Sequence, residues 1–196
     1  MKFIKYFILF ILLQGCNSNY EWGWYILSPE NIEGLTNLKF LISGITTTIY
    51  ISVVSIILAM ILGLIVALPS LSNNKFLSYF NITYVEIVRA IPLLVLILWI
   101  YYGLPIMMGI SFSPFVSGII ALTISESAFQ AEIFRAGINS IKKSQWEAGS
   151  SLGLGFFRKL RLVILPQAIK NILPAIGNQF VYVLKMSSLV SIIGIG

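Results

Sequence analysis

Glu126 stands in an otherwise apolar stretch, with Thr123 three residues before it, Ser127 beside it and Gln130 four residues after it. On a helix those spacings bring all four side chains to one face. A carboxylate flanked by hydroxyls and an amide can accept hydrogen bonds from an ammonium group, so the chemistry on offer is recognition of a small polar molecule. An ionised carboxylate in mid-span costs about 2.5 to 3.5 kcal/mol on insertion scales, so it must face a cavity or a partner. The competing use of such a stripe is hydrogen bonding between packed helices. Further along, Asn171, Asn178, Tyr182 and Lys185 share a face by the same arithmetic. Asn178 and Tyr182 are the pathway candidates there, while Lys185 would reach the headgroups. Thr48, Ser52 and Ser55 also align, but hydroxyls of this kind can bond to their own helix backbone.

Bond-breaking chemistry fits the chain poorly. It has no histidine and no aspartate, and all 7 of its carboxylate side chains are glutamates. The usual general base and the commonest metal ligand are therefore missing, and no catalytic residue, metal site or cofactor is expected. Glu132 and Arg135, three apart at a span end, read as an ion pair rather than as a substrate site.

The elements that must position these groups are membrane helices. With 58% hydrophobic and 10% charged residues, the chain is expected to be an all-α, polytopic membrane protein. Four spans are expected: Leu38 to Leu68, about Val85 to Met108, Pro114 to about Phe134, and about Ile169 to Leu184. Of the 13 Lys and Arg residues, Arg135, Lys142, Lys143, Arg158, Lys159, Arg161 and Lys170 crowd one loop, whereas Tyr101 to Ser113 has no charge. The positive-inside rule puts the basic loop in the cytosol, the uncharged one outside, and the N-terminus outside with it. The net charge of +6 is thereby a matter of topology, and no nucleic-acid partner is expected.

Residues 1–16 resemble a signal peptide, with Lys2 and Lys5 before the apolar run Phe7 to Leu13. Leu13-Gln14-Gly15-Cys16 resembles a lipoprotein cleavage box, which would make Cys16 a lipidated residue; an uncleaved signal anchor or a mispredicted start are the alternatives. Residues 17–37 then form an external segment, and 38–196 a single transmembrane domain with a cytosolic loop at about 136–168.

Within that loop, Glu147, Ala148 and Gly149 are followed by Gly153, then by Val163, Leu165 and Pro166. The spacing resembles the coupling-loop signature of ABC importer permeases: EAA, three residues, G, nine residues, I-x-LP. Gly149 replaces an alanine and Val163 an isoleucine. Small residues at 148 and 149 would allow close backbone approach, and Glu147 is expected near the positive start of a short helix. An amphipathic helix lying on headgroups is the alternative. Val85 to Pro105, VEIVRAIPLLVLILWIYYGLP, is similar to the second-span motif of polar amino acid permeases, as are Ala131 to Ile138 and Leu165 to Phe180. Ala90 and Ile91 stand where that family has Gly-Thr, Leu96 where glutamine is common, and Met186 where it has an aspartate.

The resemblance implies a type I importer transmembrane fold with a five-span core, of which the fifth span is expected to be missing here. It implies a multi-pass subunit of the bacterial inner membrane and a second permease subunit, either a copy or a paralogue. Two ABC ATPase subunits and a periplasmic or lipid-anchored amino-acid-binding protein would complete the assembly. ATP hydrolysis would lie in the partners, with Glu147, Ala148, Gly149, Gly153, Leu165 and Pro166 coupling it to transport. A carrier driven by an ion gradient, or a truncated relic that transports nothing, are the alternatives.

Overall fold

The computed structural model describes residues 23–29, 32–71 and 75–194. It is 89% helical, and no strand occurs among the described residues. Two units are present, residues 1–43 and 44–196. In the first, a 3-10 turn at Gly23–Leu27 precedes the long helix α1 (Ile32–Ala67), and Asn37 Nδ2 donates to the Ile26 carbonyl at 3.0 Å. Cys16 and the signal-like segment lie outside the described residues.

In the second unit α1 continues to Ala67 and is followed by α2 (Lys75–Ala90), α3 (Leu93–Met108), α4 (Pro114–Asn139), the short α5 (Lys143–Ser151) and the run α6 (Phe156–Ile193). Helices α1 and α6 are each long and apolar enough to cross a bilayer, and α2 with α3 would make a third, broken span. The expected second span, Val85 to Met108, is not one straight helix. Residues up to Ala90 belong to α2, and the axis turns by 91° before Leu93. Pro92 causes the turn: it disfavours helical backbone at Ile91 and itself sits at φ −59°, ψ 132°.

The helix that carries the expected fourth span extends beyond it at both ends: α6 runs for 38 residues, the last 7 of which, Ser187–Ile193, form a 3-10 turn. Helix α4 has the length to span but not the apolarity of the others. Its polar side chains account for that, since Ser117, Ser125, Glu126, Ser127 and Gln130 are all buried inside the bundle. Ser113 caps its start, accepting from the Val116 N–H at 3.4 Å, with Pro114 at the first helical position.

Among the described residues, three apolar clusters hold the helices together. Ile51, Leu96, Ile97, Ile100, Leu122 and Val190 join α1, α3, α4 and the end of α6. Ile138, Ile141, Ile164, Ala168 and Ile172 join α4 to the base of α6, with Trp146 of α5 packed on them. Ala67, Val85 and Ala131 close the space between α1, α2 and α4. Lipid tails are as apolar as these side chains, so close packing and polar contacts between helices carry the association.

Candidate functional site

Two places gather the residues singled out above: the α5 loop and the buried face of α4.

In the loop, Lys143–Ser151 is helical, and the way it ends explains the spacing of its glycine. Leu152 is the last helix-flanking residue, and Gly153 follows in the left-handed region at φ +69°. The Leu154 N–H reaches back to the Gly149 carbonyl at 3.1 Å and the Gly153 N–H to the Ser150 carbonyl at 2.9 Å. This is the paired closure of a Schellman motif, which glycine adopts without a Cβ penalty. Gly149 is buried, and a Cβ there would lie 2.7 Å from Lys159 Cγ. Its neighbours Glu147 and Ala148 are exposed, so they form the outward ridge of α5. Glu147 is not at the helix start as expected. It lies in the middle of α5 and faces Lys143 at 3.5 Å, because the helix begins four residues earlier than a dipole argument would require.

Leu165 and Pro166 follow a π turn, Leu160–Ile164, in which the Leu165 N–H bonds to the Leu160 carbonyl. A proline in a helix lacks the N–H for the carbonyl four residues back and its ring crowds that group. Here that residue is Leu162, inside the wider π turn. The same arrangement precedes Leu104 and Pro105, where Trp99–Gly103 is the π turn. Ile164 is fully buried, and Gln167 donates to the Gln145 side chain at 3.1 Å and to the Val163 carbonyl at 2.9 Å. Trp146 stacks near Phe156 at 6.3 Å. The coupling-type residues therefore fold into one unit seated on the base of α6.

On α4, Glu126, Ser127 and Gln130 are each fully buried, and Thr123 is partly so. They meet different neighbours. Glu126 Oε2 accepts from Gln179 Nε2 of α6 at 2.5 Å, while Oε1 has no partner among the described residues. Ser127 donates to the Ile124 carbonyl at 2.7 Å and takes a bond from the Tyr84 hydroxyl at 2.7 Å. Gln130 faces α1, where a Cβ on Gly63 would come within 2.6 Å of its own Cβ; neither amide atom of Gln130 has a partner among the described residues. The Thr123 hydroxyl also lacks one.

On α6, Asn178 and Tyr182 are exposed, and the Tyr182 ring lies 6.3 Å from that of Phe129. Arg89 stacks its guanidinium over Phe129 at 4.9 Å from the ring centroid. Asn171 instead bonds to Ser140 Oγ at 2.8 Å. Glu132 and Arg135 form the expected ion pair, with Nε 3.0 Å from the carboxylate. Thr48 and Ser52 bond to carbonyls four residues back at 2.8 and 2.7 Å. Leu96 and Met186 lie in or against the apolar cluster of α1, α3, α4 and the end of α6.

Sequence reasoning missed Gln179, Tyr84 and Phe129. The signal for Gln179 was its place beside Asn178 and three residues before Tyr182 in an apolar span. Nothing in the sequence paired it with Glu126, 53 positions away.

Residues 59–196 match the family described as binding-protein-dependent transport system inner membrane component. The chain is 36% identical over 163 residues to a putative glutamine transport system permease protein, GlnP, of Rickettsia conorii, covering 83% of this chain and 75% of that one. It is 35% identical to the arginine transport system permease protein ArtQ of Bacillus subtilis, over 83% of this chain and 74% of that one. Among solved structures, it superposes with a TM-score of 0.75 on a chain from an amino acid ABC transporter with histidines, at 41% identity over 82% of this chain and 76% of that one. A methionine ABC transporter, MetNI, in an inward-facing conformation shares the fold at a TM-score of 0.70 and 23% identity, over 80% of this chain and 75% of that one.

Proposed function

From a chain that belongs to the binding-protein-dependent transport system inner membrane component family, and is the permease subunit of an amino acid ABC importer, we propose how transport is coupled and what is carried. Permeases of this family work with separate subunits that hydrolyse ATP and with a substrate-binding protein. The proposed assembly is two permease subunits, copies or paralogues, on two cytosolic ATPases, served by an external or lipid-anchored binding protein, with the N-terminus of this chain outside.

Coupling is carried by one observation: α5 presents Glu147 and Ala148 outward while Gln145, Trp146 and Gly149 hold it to the base of α6. An ATPase that grips the outer ridge and closes on ATP would pull α6 with it. Gln179 on α6 bonds to Glu126 on α4, so the same displacement would reach the buried carboxylate. Glu126, with one oxygen unpaired among the described residues, supports recognition of the ammonium of a polar amino acid. Tyr182 and Asn178 would line the approach from α6, with Thr123, Ser127 and Gln130 shaping the α4 wall. Glutamine and arginine, the cargo named for the relatives, are the first substrates to test.

The direct test is co-purification with the ATPase encoded nearest to this chain, comparing the parent with Ala148→Arg. Ala148 is exposed, so the arginine clashes with a partner and not with the fold. Loss of the ATPase with an unchanged melting temperature supports the reading. Retention of the ATPase at parental levels defeats it. A carrier driven by an ion gradient would leave α5 and its closure without a role.

A further inference from the structure

Where α4 ends, α5 begins and α6 passes close by, the surface forms an open cleft of about 440 Å³. Its walls include Ser140, Lys142, Gln145, Gln167, Lys170 and Asn171, and no carboxylate lines it among the described residues. Neither Lys142 nor Lys170 forms an ion pair among the described residues, whereas the adjacent Lys143 is engaged by Glu147. The amides fix the shape of the walls, through Asn171 to Ser140 at 2.8 Å and Gln167 to Gln145 at 3.1 Å. Gln145 accepts through its oxygen in the second bond, which leaves its amide N–H groups to donate. Two ammonium groups and an amide donor around one polar cleft make an environment for an acceptor-rich anion.

We infer that this cleft binds a phosphate-bearing anion, bridging Lys142 at the head of α5 to Lys170 on α6. The inference rests on the proposed reading of α5 as the cytosolic helix that meets the ATPase, and it adds a regulator to it. A bound phosphate clamps α5 to α6 beside the Gln145–Gln167 bond, so its occupancy sets how tightly the two move together. The phosphate belongs either to the headgroup of an anionic phospholipid in the cytosolic leaflet or to a soluble ester.

The test uses the full chain in its assembled complex, placed in phosphatidylcholine nanodiscs. In one arm phosphatidylglycerol is titrated into the discs and retained lipid is counted by native mass spectrometry. In the other, inorganic phosphate is added to discs of phosphatidylcholine alone and the melting temperature is followed. Binding in either arm should weaken about tenfold or more in Lys142→Gln/Lys170→Gln and stay at the parental level in Arg158→Gln/Arg161→Gln. Retention of phosphatidylglycerol identifies the lipid source, and a phosphate-induced shift the soluble one. The inference is overturned by no binding in either arm, or by equal weakening in both double variants, which marks general surface charge. ATPase association is scored separately for every variant. Its absence from the parent chain defeats the reading of α5 as the helix that meets the ATPase, whereas loss of phosphate binding with the ATPase retained defeats the phosphate site alone.

Discussion

The aliphatic stem of Lys159 occupies the space that a side chain at position 149 would need: a Cβ on Gly149 would fall 2.7 Å from Lys159 Cγ and 3.0 Å from Cδ. The Lys159 ammonium ends on Ser150 Oγ, so one side chain crosses the back of α5 and fastens to it. Glycine in place of the family's alanine is what leaves room for that crossing.

Gly149→Ala therefore sets two effects against each other. Alanine favours a helix by about 1 kcal/mol, whereas forcing a methyl into a packed contact costs about 1 to 3 kcal/mol. The expected result is a substrate-stimulated ATPase rate reduced severalfold in proteoliposomes, restored when Lys159→Ala is added. If the double variant is no better than Gly149→Ala alone, the Lys159 contact is not the cause.

Gly153 closes α5 with φ +69°, a conformation that costs other L-residues about 1 to 2 kcal/mol. Gly153→Val should loosen the end of α5 and lower ATPase co-purification more than Gly153→Asn, since asparagine tolerates this conformation best after glycine. Equal yields for the two variants would count against the Schellman closure as the feature that matters.

Glu126→Gln removes the charge and keeps the shape. Uptake of labelled glutamine or arginine should fall by tenfold or more, while the ATPase still co-purifies, because Glu126 is buried on α4 against Gln179 and the proposed ATPase contact is the exposed ridge of α5. Gln179→Leu, which deletes the partner of Glu126, should give the same pattern. Undiminished uptake by Glu126→Gln would end the assignment of that carboxylate to substrate.

Gly63 lets α1 lie against α4: a Cβ there would be 2.6 Å from Gln130 Cβ and 2.8 Å from the Ser127 carbonyl oxygen. Backbone and Cβ atoms have no rotamer through which to move away. Gly63→Val should cost more than the overpacking range of about 1 to 3 kcal/mol seen for added methylenes. A melting temperature in detergent unchanged from the parent would show that the two helices can separate freely.

What the residues disclosed in advance was mostly local. The interval from Glu147 to Gly153 covers the second half of α5 and its glycine stop, and local hydrogen bonds are enough to build it. The Glu132–Arg135 pair was likewise within reach of helical spacing. Contacts between distant segments were not. Glu126 with Gln179, Ser127 with Tyr84 and Gln130 with Gly63 each join different helices, and polar residues on one α4 face turned out to serve three neighbours. The turn at Pro92 escaped because Val85 to Met108 is apolar throughout its middle, and hydropathy reports length without direction. Proline beside Ile91 was the available hint.

The two π turns have a consequence for anyone aligning or grafting these helices. A π turn holds one residue more than the α-helical turn it replaces, and each residue of an α-helix advances the side-chain direction by about 100°. Counting straight through Leu160–Ile164 or Trp99–Gly103 therefore puts every later position out of phase by one step. A chimaera that joins the start of α6 to the end of a relative's helix would carry Gln179 and Tyr182 to the wrong side unless the surplus residue travels with its proline. Deleting one residue within 160–164 while replacing Pro166 would shorten the helix without turning its far half.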